Sequence, residues 1–179
     1  MHVEDELASQ TVEGKVLTAA WLKWRERDLL PHRMVMELKD IAKILPRVML
    51  LEAVSRTEII FRLAGTYSFE TTGIDLTGMN YIDMAGPDAR EARAERIWLM
   101  VQQPCGCRAL LVFNTERKAR VVAETIMLPV RADQDDRPMQ FISVIAPIDL
   151  ETQALIRVSN VSIAGLKNLS NEFDFLDIG

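Results

Sequence analysis

Cys105-Gly106-Cys107 sets two thiols one residue apart, the spacing of a redox pair or of half a metal site. Zinc takes four ligands, and the chain has only these two cysteines and two histidines, His2 and His32, far from them and from each other. The same residues also suit a helix-to-strand turn, where a free cysteine behaves as a small hydrophobe. Asp133, Asp135 and Asp136 offer carboxylates to a cation, yet no turn glycine or closing glutamate follows as in a calcium loop. They fit a hydrated hairpin turn better. Phosphate loops, dinucleotide turns and the Gly-x-Ser-x-Gly nucleophile elbow are all absent from the 179 residues. With histidine this scarce, acid–base and metal mechanisms have few residues to use. The expectation is a protein that is not an enzyme, with no catalytic and no metal-ligating residue assigned.

Charge narrows the partners. The chain holds 21 basic and 26 acidic residues, a net charge of −5. That balance disfavours nucleic acid, whose phosphates need clustered positive charge, and an anionic membrane surface. No apolar run reaches the ~20 residues of a membrane span. The beginning, Met1-His2-Val3-Glu4-Asp5-Glu6, is acidic and has neither the basic nor the apolar part of a secretory signal. A cytoplasmic protein is the expectation. Apolar residues make up 49% of the chain, enough for one core without disulfides or metal.

Spacing then gives the elements. Residues 1–10 form an acidic arm. From Thr11 to Leu30, Val12, Val16, Ala20 and Leu17, Trp21, Trp24 recur every three or four residues, which predicts a helix stopped by Pro31. Glu37–Leu45 predicts a short second helix. Val48–Val54 and Ile59–Ala64, joined by a polar link, predict a hairpin. Pro87 opens a longer helix to about residue 103, with Ala94, Ile97, Trp98 and Val101 on its buried side and the Glu/Arg-rich run Asp88–Arg96 as a solvated face. Arg108–Phe113, Arg120–Val130 and Met139–Ala146 are three further strands with no crossover helix between them, so they pair antiparallel. The fold class is α+β: a five-stranded antiparallel sheet with helices on one face, plus the N-terminal helix. Residues 1–36 form the arm and first helix, 37–149 the main domain, and 150–179 an unassigned extension. In that extension Ala154–Ala164 is a weak extra strand and Asn171–Gly179 a tail.

One residue stands out inside a strand. Alternation puts Arg62 on the face opposite Phe61 and Leu63. It either reaches solvent, pairs with a carboxylate, for which Asp75 is the nearest attractive partner in sequence, or anchors a ligand. The first helix also leaves a choice. Trp21 and Trp24 lie on a wide apolar face that either packs on the chain's own sheet or forms a homodimer surface. Nine methionines either fill the core or line an adaptable cavity.

The element order and several motifs resemble a bacterial branch of short PAS-like proteins, over about residues 17–147. The resemblance rests on Trp21, Arg25, Pro31 and Arg33, on Asp40-Ile41 and Leu45-Pro46, and on Leu128-Pro129. Its most specific part is Phe61-Arg62-Leu63-Ala64-Gly65-Thr66 followed by Gly73-Ile74-Asp75-Leu76-Thr77-Gly78. Within that pattern Arg62, Gly65, Asp75 and Gly78 are the motif residues. The chain departs from the branch at Glu37-Leu38, where members often have Asp-Pro.

The resemblance implies a PAS fold and a sensory or regulatory domain with a pocket between sheet and helices. Such a domain would bind a small molecule, a partner protein or both, and act in trans. A protein-interaction adaptor with a filled core is the alternative. Tyr67, Met84, Trp98, Met127 and Phe141 lie on the segments that wall the pocket in that fold and are the candidate ligand contacts. The resemblance argues against two cofactors. Haem would want an axial histidine on the helix 87–103, and a flavin photosensor would want a cysteine on the early helices, and neither is there.

Overall fold

The computed structural model describes residues 9, 11–114, 120–134, 136–148 and 169–176, with the backbone alone for 112–114, 120 and 169–176. The chain runs through α1 (Val12–Arg25), a 3₁₀ segment (Leu38–Arg47), β1 (Val48–Ser55) and β2 (Glu58–Ala64). It continues through α2 (Thr66–Thr72), a 3₁₀ turn (Tyr81–Met84), α3 (Pro87–Gln102), β3 (Gly106–Asn114), β4 (Arg120–Val130), β5 (Gln140–Pro147) and β6 (Leu169–Leu176). The strands form one antiparallel sheet in the order β2-β1-β5-β4-β3-β6.

The five expected strands are present and antiparallel. A sixth, β6, extends the sheet beyond β3, with Gly106 opposite Leu176 and Leu111 opposite Leu169. Residues 169–176 are therefore an edge strand, and the expected tail is corrected over 171–176. The expected strand 154–164 lies outside the described residues. The second helix is a 3₁₀ segment running on to Arg47, and it contains Pro46, which has no N–H to give to an α-helical bond. No helix among the described residues is long and apolar enough to cross a membrane.

Both faces of the sheet are covered. Alternation along β4 sends Ile126, Leu128 and Val130 to an outer face, where they meet Leu17, Trp21 and Trp24 of α1. Thr125 and Met127 point to the inner face, with Met49, Leu51, Phe61 and Phe141 beside α3. This settles the choice at α1. Trp21 is 0% exposed and Trp24 5%, so the two indoles, candidates for a homodimer surface, instead belong to the chain's own core. Each indole N–H is used as well: Trp21 donates to the Pro129 carbonyl at 2.8 Å, and Trp24 to Asp40 at 2.8 Å.

The start of α1 is fixed by a carboxylate. Glu124, on the outer face of β4, has a side chain with no exposed surface. Its Oε2 accepts from the Ser9 hydroxyl at 2.5 Å, the Thr11 hydroxyl at 2.7 Å and the Thr11 N–H at 3.0 Å. Its Oε1 accepts from Arg108 Nε at 2.6 Å. Thr11 is the N-cap of α1 and also accepts from the Gly14 N–H at 3.1 Å.

Arg62 lies on the outer face, as alternation predicts, but its partner is Glu52 and not Asp75. Arg62 Nε and Nη2 reach Glu52 Oε1 at 3.0 and 2.5 Å, and Gln140 donates to Oε2 at 2.9 Å. The hairpin register accounts for this: Ile60 sits opposite Glu52, so Arg62 is its diagonal neighbour on the same face. Asp75 is occupied locally, accepting from the Thr77 N–H at 2.9 Å.

Two predictions follow from these anchors. Glu124→Ala should destabilise the fold by about 3–5 kcal/mol, the usual cost of breaking a buried ion pair. In urea titrations the midpoint should fall accordingly, and amide exchange should rise first in α1; a loss under about 1 kcal/mol would leave Glu124 no anchoring role. Glu52 gives a pH dependence. Burial alone would raise its carboxyl, but hydrogen bonds from Arg62 and Gln140 and the charges of Arg62 and Arg137 hold it below the ordinary 4.5. The unfolded chain then takes up this proton first, so the stabilisation is complete above pH 4.5 and fades as pH falls towards the depressed folded value. Glu52→Gln should flatten the acid limb of the stability–pH curve, and an unchanged slope would assign that limb to other carboxylates.

Candidate functional site

Between the inner sheet face and the helices lies a cavity of about 80 Å³. Its apolar wall includes Met49, Leu51, Phe61, Met84 and Met127. Hydroxyls from Ser68, Thr71, Thr72, Thr125 and Ser143 and the guanidinium of Arg93 interrupt it.

The motif turns build one wall. A Cβ on Gly65 would lie 2.2 Å from the Pro46 carbonyl oxygen, so only glycine lets α2 start this close to the 3₁₀ segment. Beside it, the Arg47 guanidinium stacks 3.8 Å from the ring centre of Tyr67. In Asp75-Leu76-Thr77-Gly78, the Asp75 side chain caps Thr77 and Gly78 takes φ of +83°. Gly78 N–H then donates to the Phe61 carbonyl at 2.8 Å, which returns the chain to β2. Leu76, 5% exposed, is thereby set into the cavity wall. Arg62 and Asp75 do not reach the cavity; Gly65, Asp75 and Gly78 shape the turns around it, and Arg62 braces the outer face.

The sheet side carries a polar pair. Thr125 Oγ1 lies 3.1 Å from Ser143 Oγ and donates to the Val144 carbonyl at 3.0 Å. Phe61 and Tyr81 meet edge to face with ring centres 5.8 Å apart. Burial pushes the Tyr81 phenol above its ordinary pKa, so it is neutral at pH 7.

Of the candidate contacts, Tyr67, Met84 and Met127 line the cavity. Trp98 and Phe141 do not. Phe141 is fully buried in the inner core, opposite Leu51 on β1. Trp98 is only partly buried because α3 is rotated from the expected setting: its buried stripe is Arg93, Ala94, Ile97 and Met100. That rotation brings in a residue the sequence reading left in the solvated charge run. Arg93 is 4% exposed. The available signal was its position one turn ahead of Ile97, on the same stripe.

Arg93 Nη1 donates to the Tyr81 carbonyl at 2.8 Å, and its Cζ lies 4.6 Å from the Tyr81 ring centre. Its Nε is buried and makes no hydrogen bond. Burial works against the charged form of Arg93, as does the like charge of Arg96, while Tyr81 favours it. The site has few other reactive groups. Cys107, in the same inner core, is buried, and desolvation lifts its thiol far above the ordinary value.

The cavity does not fit a large cofactor. It is well below the ~300–1,000 Å³ of pockets that hold drug-sized ligands, and α3 offers haem iron no histidine. At this size it suits a molecule of a few heavy atoms, since an apolar cavity of ~150 Å³ takes benzene.

Comparison with known proteins gives a family. No curated protein matches the chain. Among solved structures, the LOV domain of the blue-light photoreceptor Aureochrome1 matches at 13% identity and a TM-score of 0.45, covering 66% of this chain and 93% of that one. A Rhodobacter sphaeroides LOV protein matches at 16% identity and a TM-score of 0.46, covering 66% and 72%. A PAS domain from Colwellia psychrerythraea matches at 13% and 0.44, covering 62% and 96%. The family model described as a PAS domain matches residues 10–145, most of the chain. With its antiparallel sheet in the order β2-β1-β5-β4-β3 and helices over the inner face, the chain belongs to the PAS domain family.

Proposed function

We propose that this PAS domain is a sensory or regulatory module that takes a small molecule into its inner cavity. The observation that carries the reading is the cavity itself: a small apolar chamber with a few hydroxyls and one buried cation on its wall. It speaks for a ligand over the filled core of a pure adaptor. Binding acts by shifting a population between arrangements of the domain.

A short route leads from ligand to surface. Thr125 lines the cavity, and its neighbour Glu124, on the opposite face of β4, anchors the start of α1. A ligand that shifts Thr125, directly or through its partner Ser143, therefore bears on the α1 anchor one residue away. The exposed apolar residues Leu29, Met34 and Val35, between α1 and the 3₁₀ segment, and Leu38 at the start of that segment favour a second, compatible role in which a protein partner docks.

Methionine methyls test the cavity. In a methyl-labelled sample, a small ligand entering it should move the resonances of Met49, Met84 and Met127 and leave Met34, 77% exposed, in place. Amide exchange in α1 should change with saturation. Native against denaturing mass spectrometry would show a ligand retained through purification. If no small molecule, neutral or charged, moves the three methyls and none is retained, the small-molecule reading fails and the adaptor reading takes its place.

The domain acts without covalent chemistry of its own in this reading. Cys107 should accordingly react with iodoacetamide at neutral pH only as fast as the fold opens. Fast alkylation at Cys107 itself in the folded protein, read by peptide mass separately from the half-buried Cys105, would overturn this and point to an activated thiolate.

A further inference from the structure

We propose that the ligand is a short-chain monocarboxylate and that Arg93 holds its carboxylate; this rests on the small-molecule reading above. Arg93 is the one charged side chain among the described residues lining the cavity. It is 96% buried, counting from its 4% exposure, and no carboxylate among the described residues pairs with it. Its single hydrogen bond runs from Nη1 to a backbone carbonyl, and its buried Nε–H has no acceptor. A guanidinium out of water needs a counter-charge and acceptors for its fork of donors. A carboxylate supplies both, because its two oxygens match two parallel N–H groups.

Charge and size narrow the class. One guanidinium balances one negative charge, so a monoanion leaves the cavity neutral. A phosphate dianion would carry an unbalanced charge into apolar surroundings, where burying charge is costly. Beyond the headgroup, the walls are Met49, Leu51, Phe61, Leu76 and Met127, which suit an alkyl tail and offer a polyol or a second carboxylate no charged partner. About 80 Å³ leaves room for a tail of only a few carbons.

The test titrates the full chain with propionate, with propionamide, which has nearly the same shape and no charge, and with inorganic phosphate. The methyls of Met49, Met84 and Met127 report binding. Propionate should move them saturably, and propionamide should bind at least tenfold more weakly. Arg93→Gln should remove that preference, and Arg93→Lys, which keeps the charge and loses the planar fork, should weaken propionate while keeping the preference. If Arg93→Gln does not fold, the acid–amide comparison on the natural chain still decides.

Equal binding of acid and amide, or tighter binding of phosphate, overturns the carboxylate assignment and leaves the small-molecule reading standing. Failure of acetate, propionate and butyrate to move any of the three methyls also overturns the assignment. The small-molecule reading then stands or falls on neutral ligands and on the mass retained in native spectra.

Discussion

Because the central strands are apolar on both faces, the sheet is stable only with both covered, and the outer cover is tied down at Glu124. The fully buried carboxylate takes a backbone N–H and a hydroxyl from the N-cap of α1, a hydroxyl from Ser9 and the guanidinium of Arg108. A buried carboxylate is tolerable only when donors surround it, so its position fixes theirs. At the far end of α1, the two indoles lock onto Pro129 and Asp40. Lys23 adds its ammonium to Asp40 at 2.8 Å, and together with the Trp24 N–H this holds that carboxyl below its ordinary range. Between these ends the helix has one register on the sheet.

This explains what the sequence motifs do. Trp21, Asp40 and Pro129, three residues behind the family resemblance, meet in the docking of α1. The Pro31-x-Arg33 turn runs beside β4, where Arg131 N–H donates to the Pro31 carbonyl and Arg33 N–H to that of Arg131, both at 2.9 Å. Gly65 and Gly78 give the close approach and the left-handed turn that α2 and Leu76 require. The motifs are thus mostly scaffold, and the cavity lies between them. A motif records backbone geometry that few residues can provide, whereas a cavity wall accepts many apolar side chains.

The legible parts of the fold were those written in local periodicity. β4 was predicted with its observed bounds, and β1, β2, β5 and α3 within two residues at either end, because each has a clear period or a proline boundary. The sixth strand was hidden by Asn171, Glu172 and Asp174, residues that strands disfavour, and by its pairing to β3 far back in the chain. Arg62 was placed on the correct face, but its partner depends on cross-strand register, which sequence separation does not reveal. For the cavity, Tyr67, Met84 and Met127 were found because they sit on the right segments. Trp98 and Phe141 were not, because the rotation of a helix and the depth of a pocket are set by tertiary packing.

Arg93 shows why a charge run conceals a site. Averaged over Asp88–Arg96, the helix looks solvated, and the five other charged residues of the run support that reading. Yet a single position on the inward stripe escapes the average. A methionine there would fill the same space without the several kcal/mol of desolvation that a buried ion carries. Stability therefore does not account for the guanidinium, and stacking on Tyr81 with one hydrogen bond offsets only part of the cost. The domain without ligand holds a cation short of a counter-charge, so an anion that enters relieves an existing penalty. In the proposed reading its binding is coupled to the inner face of β4, whose outer face carries the anchor of α1.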